Sequence, residues 1–328
     1  MTANRPYIPV IHGAALDRPD EADTLATAEA VAAALERLGR RSAVVRVDLD
    51  LGALRRLAAQ RPAAVFNLVE ALDGDCALAQ LVPSALEHLG LPFTGAGGEA
   101  HRLTLSKVTA KRLMAAAGLP TPAWSRDGAG LPAGAQAIVK SETEHASLGI
   151  DAYSVVPAAK AGRVVRDRAA RHGGRFFAEA FVDGREFNLS LLEGADGPRV
   201  LPPAEIRFDA FPPGRPRIVD YEAKWAAGSF AYENTPRRFD FAAADAALLD
   251  RLRALACDAW TLFEVAGYAR VDFRVDEDGR LWLLEVNVNP CLAPDAGFVA
   301  AAAESGLGFD ALIGAIVDAA LGAHRAAA

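Results

Sequence analysis

Residues 268–288 constrain this chain more than any other stretch: "YARVDFRV", the turn "DEDG", then "LWLLEVN" and Val288. Two apolar runs joined by the turn "DEDG" and Arg280 predict an antiparallel strand pair. Side chains alternate between the faces of a strand. Arg270, Asp272 and Arg274 therefore share one side of the first strand, and Glu285, Asn287 and Asn289 one side of the second. The opposite sides are apolar and belong against a core. The polar side is either a solvated face laced with cross-strand ion pairs or a site built on a rigid support. Two carboxylates and an amide oxygen are hard donors of the kind magnesium takes, with phosphate oxygens completing its shell. The hairpin alone leaves both readings open.

The rest of the chain supplies the frame. It has 328 residues, 52% of them apolar, which allows two or three structural units around a sizeable core. Short strand and helix signals alternate at the start: a strand at Tyr7–His12, a helix over 22–38 stopping at Gly39, strands at Ala43–Val47 and Arg61–Asn67, and a helix over 77–89. That pattern predicts a parallel α/β domain over 1–105. A helix over 104–117, a strand at Ala137–Lys140, a helix over 158–171 and a strand over 175–182 predict a small α+β unit over 106–178. Residues 179–328 then form a third domain. It holds the hairpin, a helix over 241–263 and a Pro/Gly-rich stretch from 202 to 236, whose length suits a lid or binding loop. The class expected is thus α/β, with a parallel N-terminal sheet and an antiparallel C-terminal one.

Charge and cysteine content exclude several functions. The net charge is −7, with the arginines dispersed, so no nucleic-acid surface is expected. No long uncharged apolar run is present, so no membrane span is expected, and the N-terminus reads as a first strand rather than a secretory signal. Cys76, Cys257 and Cys291 lie far apart without metal-type spacing, which makes a reducing cytoplasm the expected setting.

Several segments resemble one known family. "VFNLVEALDGD", "GLPFTGAGG", "LSKVTAKRLMAAAGLPTP", "IVKSETEHASLGI", "FAEAFVDGREFNLSLL", "LPPAEI", "YEAKW" and "RVDF…LLEVNVNP" are similar, in order and spacing, to the ATP-grasp enzymes of the D-alanine–D-alanine ligase branch. The resemblance implies the three-domain ATP-grasp fold and an ATP-dependent carboxylate–amine ligase that works through an acyl phosphate. It implies magnesium, as two ions, on Asp272, Glu285 and Asn287. Lys107 and Lys140 match the nucleotide lysines, and Ser147 with Gly149 the tip of the phosphate-covering loop. Glu179, Phe181 and Val182 match the adenine hinge, with Leu284 also on the nucleotide side and Glu186 on the ribose. Lys224 matches a lid lysine that serves both ATP binding and catalysis. Arg270 matches the arginine facing the developing oxyanion. Arg274 is read as a phosphate-side group, the alternative being an ion pair with Glu285 or Asp272. The partners implied are a small carboxylate and an amine; a homodimer is also implied.

The chain departs from the family at the amino-acid end. Glu70 and Ala71 stand where a histidine and a glycine are usual, and the run 290–296 is "PCLAPDA", with Asp295 and Ala296 where the family holds a carboxylate through serine. Asp295 would repel an incoming carboxylate and favour a cation. The acid that grips the first substrate's ammonium has no clear counterpart, Asp20 and Glu21 being the candidates. His145 lies in the phosphate loop, and Cys291 is read as a small filler rather than a nucleophile. Substrates other than two D-alanines are expected. A D-alanine–D-alanine ligase with a drifted pocket and a catalytically silent ATP-binding regulator are the alternatives.

Overall fold

The computed structural model describes residues 5–13, 19–144 and 147–327, with side chains throughout except at 19–22 and 323–327. Three sheets organise it. The first is parallel, in the order β2-β1-β3, from β1 (Val10–His12), β2 (Val44–Arg46) and β3 (Phe66–Asn67). Between them run α1 (Pro19–Arg37), which gives way to Gly39 in the left-handed region, and α2 (Gly52–Gln60). The sequence reading gave α2 no element. Its repeat is nevertheless regular, with Ala53, Leu54 and Leu57 buried in one cluster with Ile11 of β1 and with Val65, which precedes β3.

After a 3₁₀ turn at Cys76–Leu78 come α3 (Leu81–His88), α4 (Gly98–Leu105) and α5 (Lys107–Ala116). The single helix expected over 104–117 is therefore broken at Ser106. Its backbone is extended there, its hydroxyl accepts from the Thr109 N–H at 3.1 Å, and it donates to Glu142 at 2.6 Å. The break starts a capped helix at Lys107, which fixes that lysine at a helix N-terminus.

The second sheet is antiparallel, in the order β4-β7-β5-β6, from β4 (Trp124–Ser125), β5 (Gln136–Ser141), β6 (Val155–Pro157) and β7 (Phe176–Ala180). α6 (Ala158–His172) packs on it through Ala161 and Val165. The third sheet runs β11-β10-β8-β12-β13, with β9 on β8. Its strands are β8 (Arg185–Gly194), β9 (Gly197–Val200), β10 (Ala204–Ile206), β11 (Arg237–Arg238), β12 (Tyr268–Val275) and β13 (Leu281–Asn287). Between β10 and β11 lie two short helices, α7 (Tyr221–Trp225) and α8 (Phe230–Glu233). The stretch expected to be one long loop from 202 to 236 thus begins as a sheet strand, because Ala204, Glu205 and Ile206 are buried in the ladder with β8.

The apolar side of the hairpin, with Val271, Phe273, Leu283 and Val286, packs on α5 and on α9 (Ala246–Leu262) through Met114, Leu252 and Ala256. Full burial of side chains of this size contributes on the order of 1.5–3 kcal/mol each. Two further helices, α10 (Gly297–Glu304) and α11 (Phe309–Ala327), join α1 and β1 in a second core that includes Phe298, Ile313 and Ile316. Among the described residues no single helix is long and apolar enough to cross a membrane. The one apolar pair, Gly297–Glu304 and Phe309–Gly322, bends by 100°.

Candidate active site

β12 and β13 pair as expected, Arg270 opposite Asn287 and Asp272 opposite Glu285. A bulge follows: Phe273 faces Leu283, so Leu284 is an extra residue in β13. Leu284 and Glu285 consequently turn the same way, and both line a cavity of about 770 Å³. Asn289 falls beyond the strand end. It accepts from the Tyr268 hydroxyl at 3.0 Å and donates to the Val69 carbonyl at 3.1 Å, so it ties two segments together instead of extending the polar face.

The cavity gathers residues from the second and third sheets, from α1 and from the segment that follows β3. Lys107, Lys140, Ser147, Glu179, Phe181, Val182, Glu186, Lys224, Arg270, Asp272, Arg274, Leu284, Glu285 and Asn287 line it, as do Glu70, Asp295 and Ala296. Of the sequence candidates, Asp20 and Glu21 have side chains outside the described residues, as is His145 altogether. The acid that does line the cavity from α1 is Asp23, beside Thr24. It lies one helical turn beyond the residues first considered.

At one end, cations meet carboxylates. Glu179 is fully buried between Lys111, with which it is ion-paired, and Lys140 at 2.8 Å. Burial pushes the Glu179 carboxyl up, but the two ammonium groups outweigh it and hold it below the usual carboxylate range. Lys111, 1% exposed, also donates to Thr121 at 2.9 Å, and burial lowers its basicity despite Glu179. Sequence reasoning missed Lys111, which looks there like an ordinary helix-surface residue. Lys107 donates to the Glu144 carbonyl at 2.7 Å and lies 3.6 Å from Glu285.

Arg274 pairs with Glu186, neither with Glu285 nor with Asp272, and donates also to the carbonyls of Gly184 and Arg217. Gly184 sits where any Cβ would strike the Val275 carbonyl, so only glycine lets this hinge cross β12. The Phe181 N–H is bound to the Gln136 carbonyl, so that group is not the one that would read a base. Phe181, Val182 and Leu284, with Ile138, Ile206 and Ile218, make the apolar lining of this end.

The centre holds the hairpin charges. Arg270 clasps Asp272 through two bonds of 2.8 Å and lies 4.0 Å from Glu285. Burial works against its charge, but Asp272 raises its pKa far above the arginine norm. Asn188, on β8 opposite Asp272, donates to the same carboxylate at 2.8 Å. Lys224 stands on α7, which Asp220 caps by accepting from the Ala223 N–H at 2.9 Å. Burial first, then Arg270, lower the Lys224 pKa. Ser147, with φ +59°, gives its hydroxyl to the Val219 carbonyl at 3.1 Å, and the Tyr221 N–H donates to Ile150 at 3.1 Å. These two bonds tie the 147–150 loop to the segment 219–221, and both segments line the cavity.

At the other end Asp23 and Glu70 surround Cys291, whose thiol accompanies Asp23 at 3.5 Å. Burial, with Glu70 and Asp23 adding to it, pushes this thiol up to about 12, which makes it inert. Arg237 lines the same cavity, near Arg270 and Cys291, and donates to the Asp295 carbonyl at 3.1 Å.

The donor set fits magnesium. Among the described residues no three His, Cys, Asp or Glu side chains are grouped to hold a metal alone. Two carboxylates and an amide beside a lysine-lined space suit an ion whose remaining ligands are phosphate oxygens.

This arrangement of three sheets around one charged cleft is the ATP-grasp architecture. The solved structure of the D-alanine–D-alanine ligase from Bacillus anthracis in complex with ATP superposes with a TM-score of 0.75 at 19% identity, covering 98% of this chain and 100% of that one. The family model described as "D-ala D-ala ligase C-terminus" matches residues 129–318. The D-alanine–D-alanine ligase of Acidiphilium cryptum is 33% identical over 305 residues, 90% of this chain and 92% of the relative. That of Synechococcus sp. strain JA-3-3Ab is 32% identical over 299 residues, 88% and 86% of the two chains. The chain belongs to the D-alanine–D-alanine ligase family. Its activity is therefore that of an ATP-dependent ligase forming carbon–nitrogen bonds with release of ADP.

Proposed function

We propose that this enzyme joins a carboxylate to an amine through an acyl phosphate and that its substrates are not two D-alanines. The observation that carries the second part is the makeup of the substrate end. Glu70, Cys291, Asp295 and Ala296 line it, where the family resemblance leads one to expect histidine, glycine and a carboxylate-binding serine.

The charge layout supports the chemistry. A substrate carboxylate oxygen attacks the γ-phosphorus of ATP, the bond to the bridging oxygen breaks, and ADP leaves. The amine then attacks the acyl carbon, phosphate departs with the bonding pair, and the nitrogen loses a proton. Negative charge gathers at transferred and acyl oxygens in both steps, so fixed cations lower both barriers. Lys107, Lys140 and Lys224 hold phosphate oxygens, and Glu186 with the Phe181–Val182 hinge and Leu284 orients the nucleoside. Arg270 faces the acyl oxygen. Asp272, Glu285 and Asn287 would hold magnesium, which when bound neutralises phosphate charge. Residues 1–105, 106–178 and 179–328 act on this reading as three domains closing on one cleft.

The test is ADP release by the full chain with ATP, magnesium and a panel of carboxylates and amines. Turnover with a pair other than two D-alanines is expected. Efficient formation of D-alanyl-D-alanine with indifference to every other pair would defeat the proposal. It would establish the second reading, a D-alanine–D-alanine ligase, which the near full-length similarity to enzymes of that name favours.

A further inference from the structure

The arginines around the cavity are not alike. Arg270 is ion-paired with Asp272 and Arg274 with Glu186, whereas Arg237 makes no ion pair among the described residues. Its only hydrogen bond there runs from Nη1 to a neutral carbonyl, that of Asp295. It stands on the edge strand β11 opposite Ile206, another cavity residue, so the sheet register turns its side chain onto the cavity face. Its Nε lies 3.1 Å from where a Cβ on Gly297 would be, so the guanidinium rests directly on the bare backbone that opens α10. Arg270 is close enough for the two cations to repel, and Asp295 only partly offsets this.

A guanidinium with donors to spare, held beside a second cation in a cleft, attracts a planar anion. It does so in the same cavity as Asp23 and Glu70, whose sign would draw an ammonium. Resting on the reading of this chain as a carboxylate–amine ligase, we propose that Arg237 is a specificity-determining residue that binds a carboxylate carried by the amine substrate. This reverses the expectation drawn from Asp295 in the sequence. Asp295 meets Arg237 through its carbonyl, and the charge that Arg237 contributes to this wall is positive. The amine substrate is then an amino acid with a free carboxylate, and its amide or its decarboxylated amine is a poor substitute.

The test titrates the full chain, saturated with ADP and magnesium, with amino acids and their amides, and measures KM for each as acceptor. Arg237→Gln is expected to weaken binding and raise KM about 10- to 100-fold for the amino acids. KM for ATP and the values for the amides should stay unchanged. Arg237→Lys should recover part of the loss. Gly297→Ala, which crowds the guanidinium without removing it, should weaken the amino acids alone. Equal losses for amino acids and amides, or unchanged amino-acid binding in Arg237→Gln, overturn the proposal. Should the wild type turn over no pair at all, the ligase substrates fail as a reading, while the binding titration still decides the role of Arg237.

Discussion

The two ends of the cavity treat charge in opposite ways. At the end proposed for the nucleotide these cations each meet a carboxylate: Lys111 and Lys140 share Glu179, Arg274 pairs with Glu186, and Lys107 lies beside Glu285. At the substrate end acids gather around a thiol, and Arg237 makes no ion pair among the described residues. Paired charges are oriented before any ligand arrives, which suits a cosubstrate that never changes. A guanidinium without an ion pair, as Arg237 is among the described residues, discriminates among ligands, because a wrong substrate leaves it unmatched.

The largest way to break this contrast is Glu179→Gln, which leaves two ammonium groups without their counter-ion. A loss of about 3–5 kcal/mol of stability is expected, read as the urea midpoint. The pH dependence has a definite sign. A carboxylate held below its unfolded value contributes stability that is present above the unfolded pKa and lost as pH falls through the folded one. Wild type should therefore lose part of its margin over Glu179→Gln in acid. An unfolding midpoint unmoved by the substitution would mean that the nucleotide end is not pre-organised by paired charge.

A smaller effect sharpens the same contrast. Ser147→Ala removes the bond to Val219 that helps tie the 147–150 loop to the segment 219–221. A net hydrogen bond contributes roughly 0.5–1.5 kcal/mol, so amide exchange at 147–150 and 219–221 should quicken about 2- to 10-fold. Unaltered exchange would show that this bond does not hold the two segments together. The smallest effect belongs to the substrate end. Cys291→Ala should leave ADP release within about twofold, and iodoacetamide at neutral pH should spare Cys291, since a thiol pushed up to about 12 is almost wholly protonated. Rapid alkylation with loss of turnover would instead make that thiol part of the reaction.

What the sequence revealed follows from how far apart cause and effect lie along the chain. The polar faces of β12 and β13 were legible because a period of two and a short turn fix them locally. The apolar faces on α9 were legible for the same reason. Lys111, on α5, was not, because the carboxylate that gives it meaning is Glu179, far along the chain on β7. Asp23 was passed over for Asp20 and Glu21 because only the rotation of α1 decides which acid meets the cavity. β10 was hidden inside a Pro/Gly-rich stretch whose composition suggests a loop, although its partner β8 makes it a strand. Arg237 comes directly after that stretch, next to Arg238, and only its register on β11 marks it out. The break at Ser106 had a local signal, a serine that can cap a helix, but the helical repeat runs through it and masks it.

The bulge in β13 has a genetic side. Removing Leu284 alone would leave Leu283 and Val286 turned toward the core and Glu285 and Asn287 toward the cleft, since the ladder already skips that residue. One codon thus adds an apolar side chain to the cavity wall on a strand whose acidic face is complete without it. An in-frame deletion at 284 is the indel this strand can absorb with its remaining faces intact. Loss of Val286 instead would set Glu285 directly against Asn287 and force one of them inward.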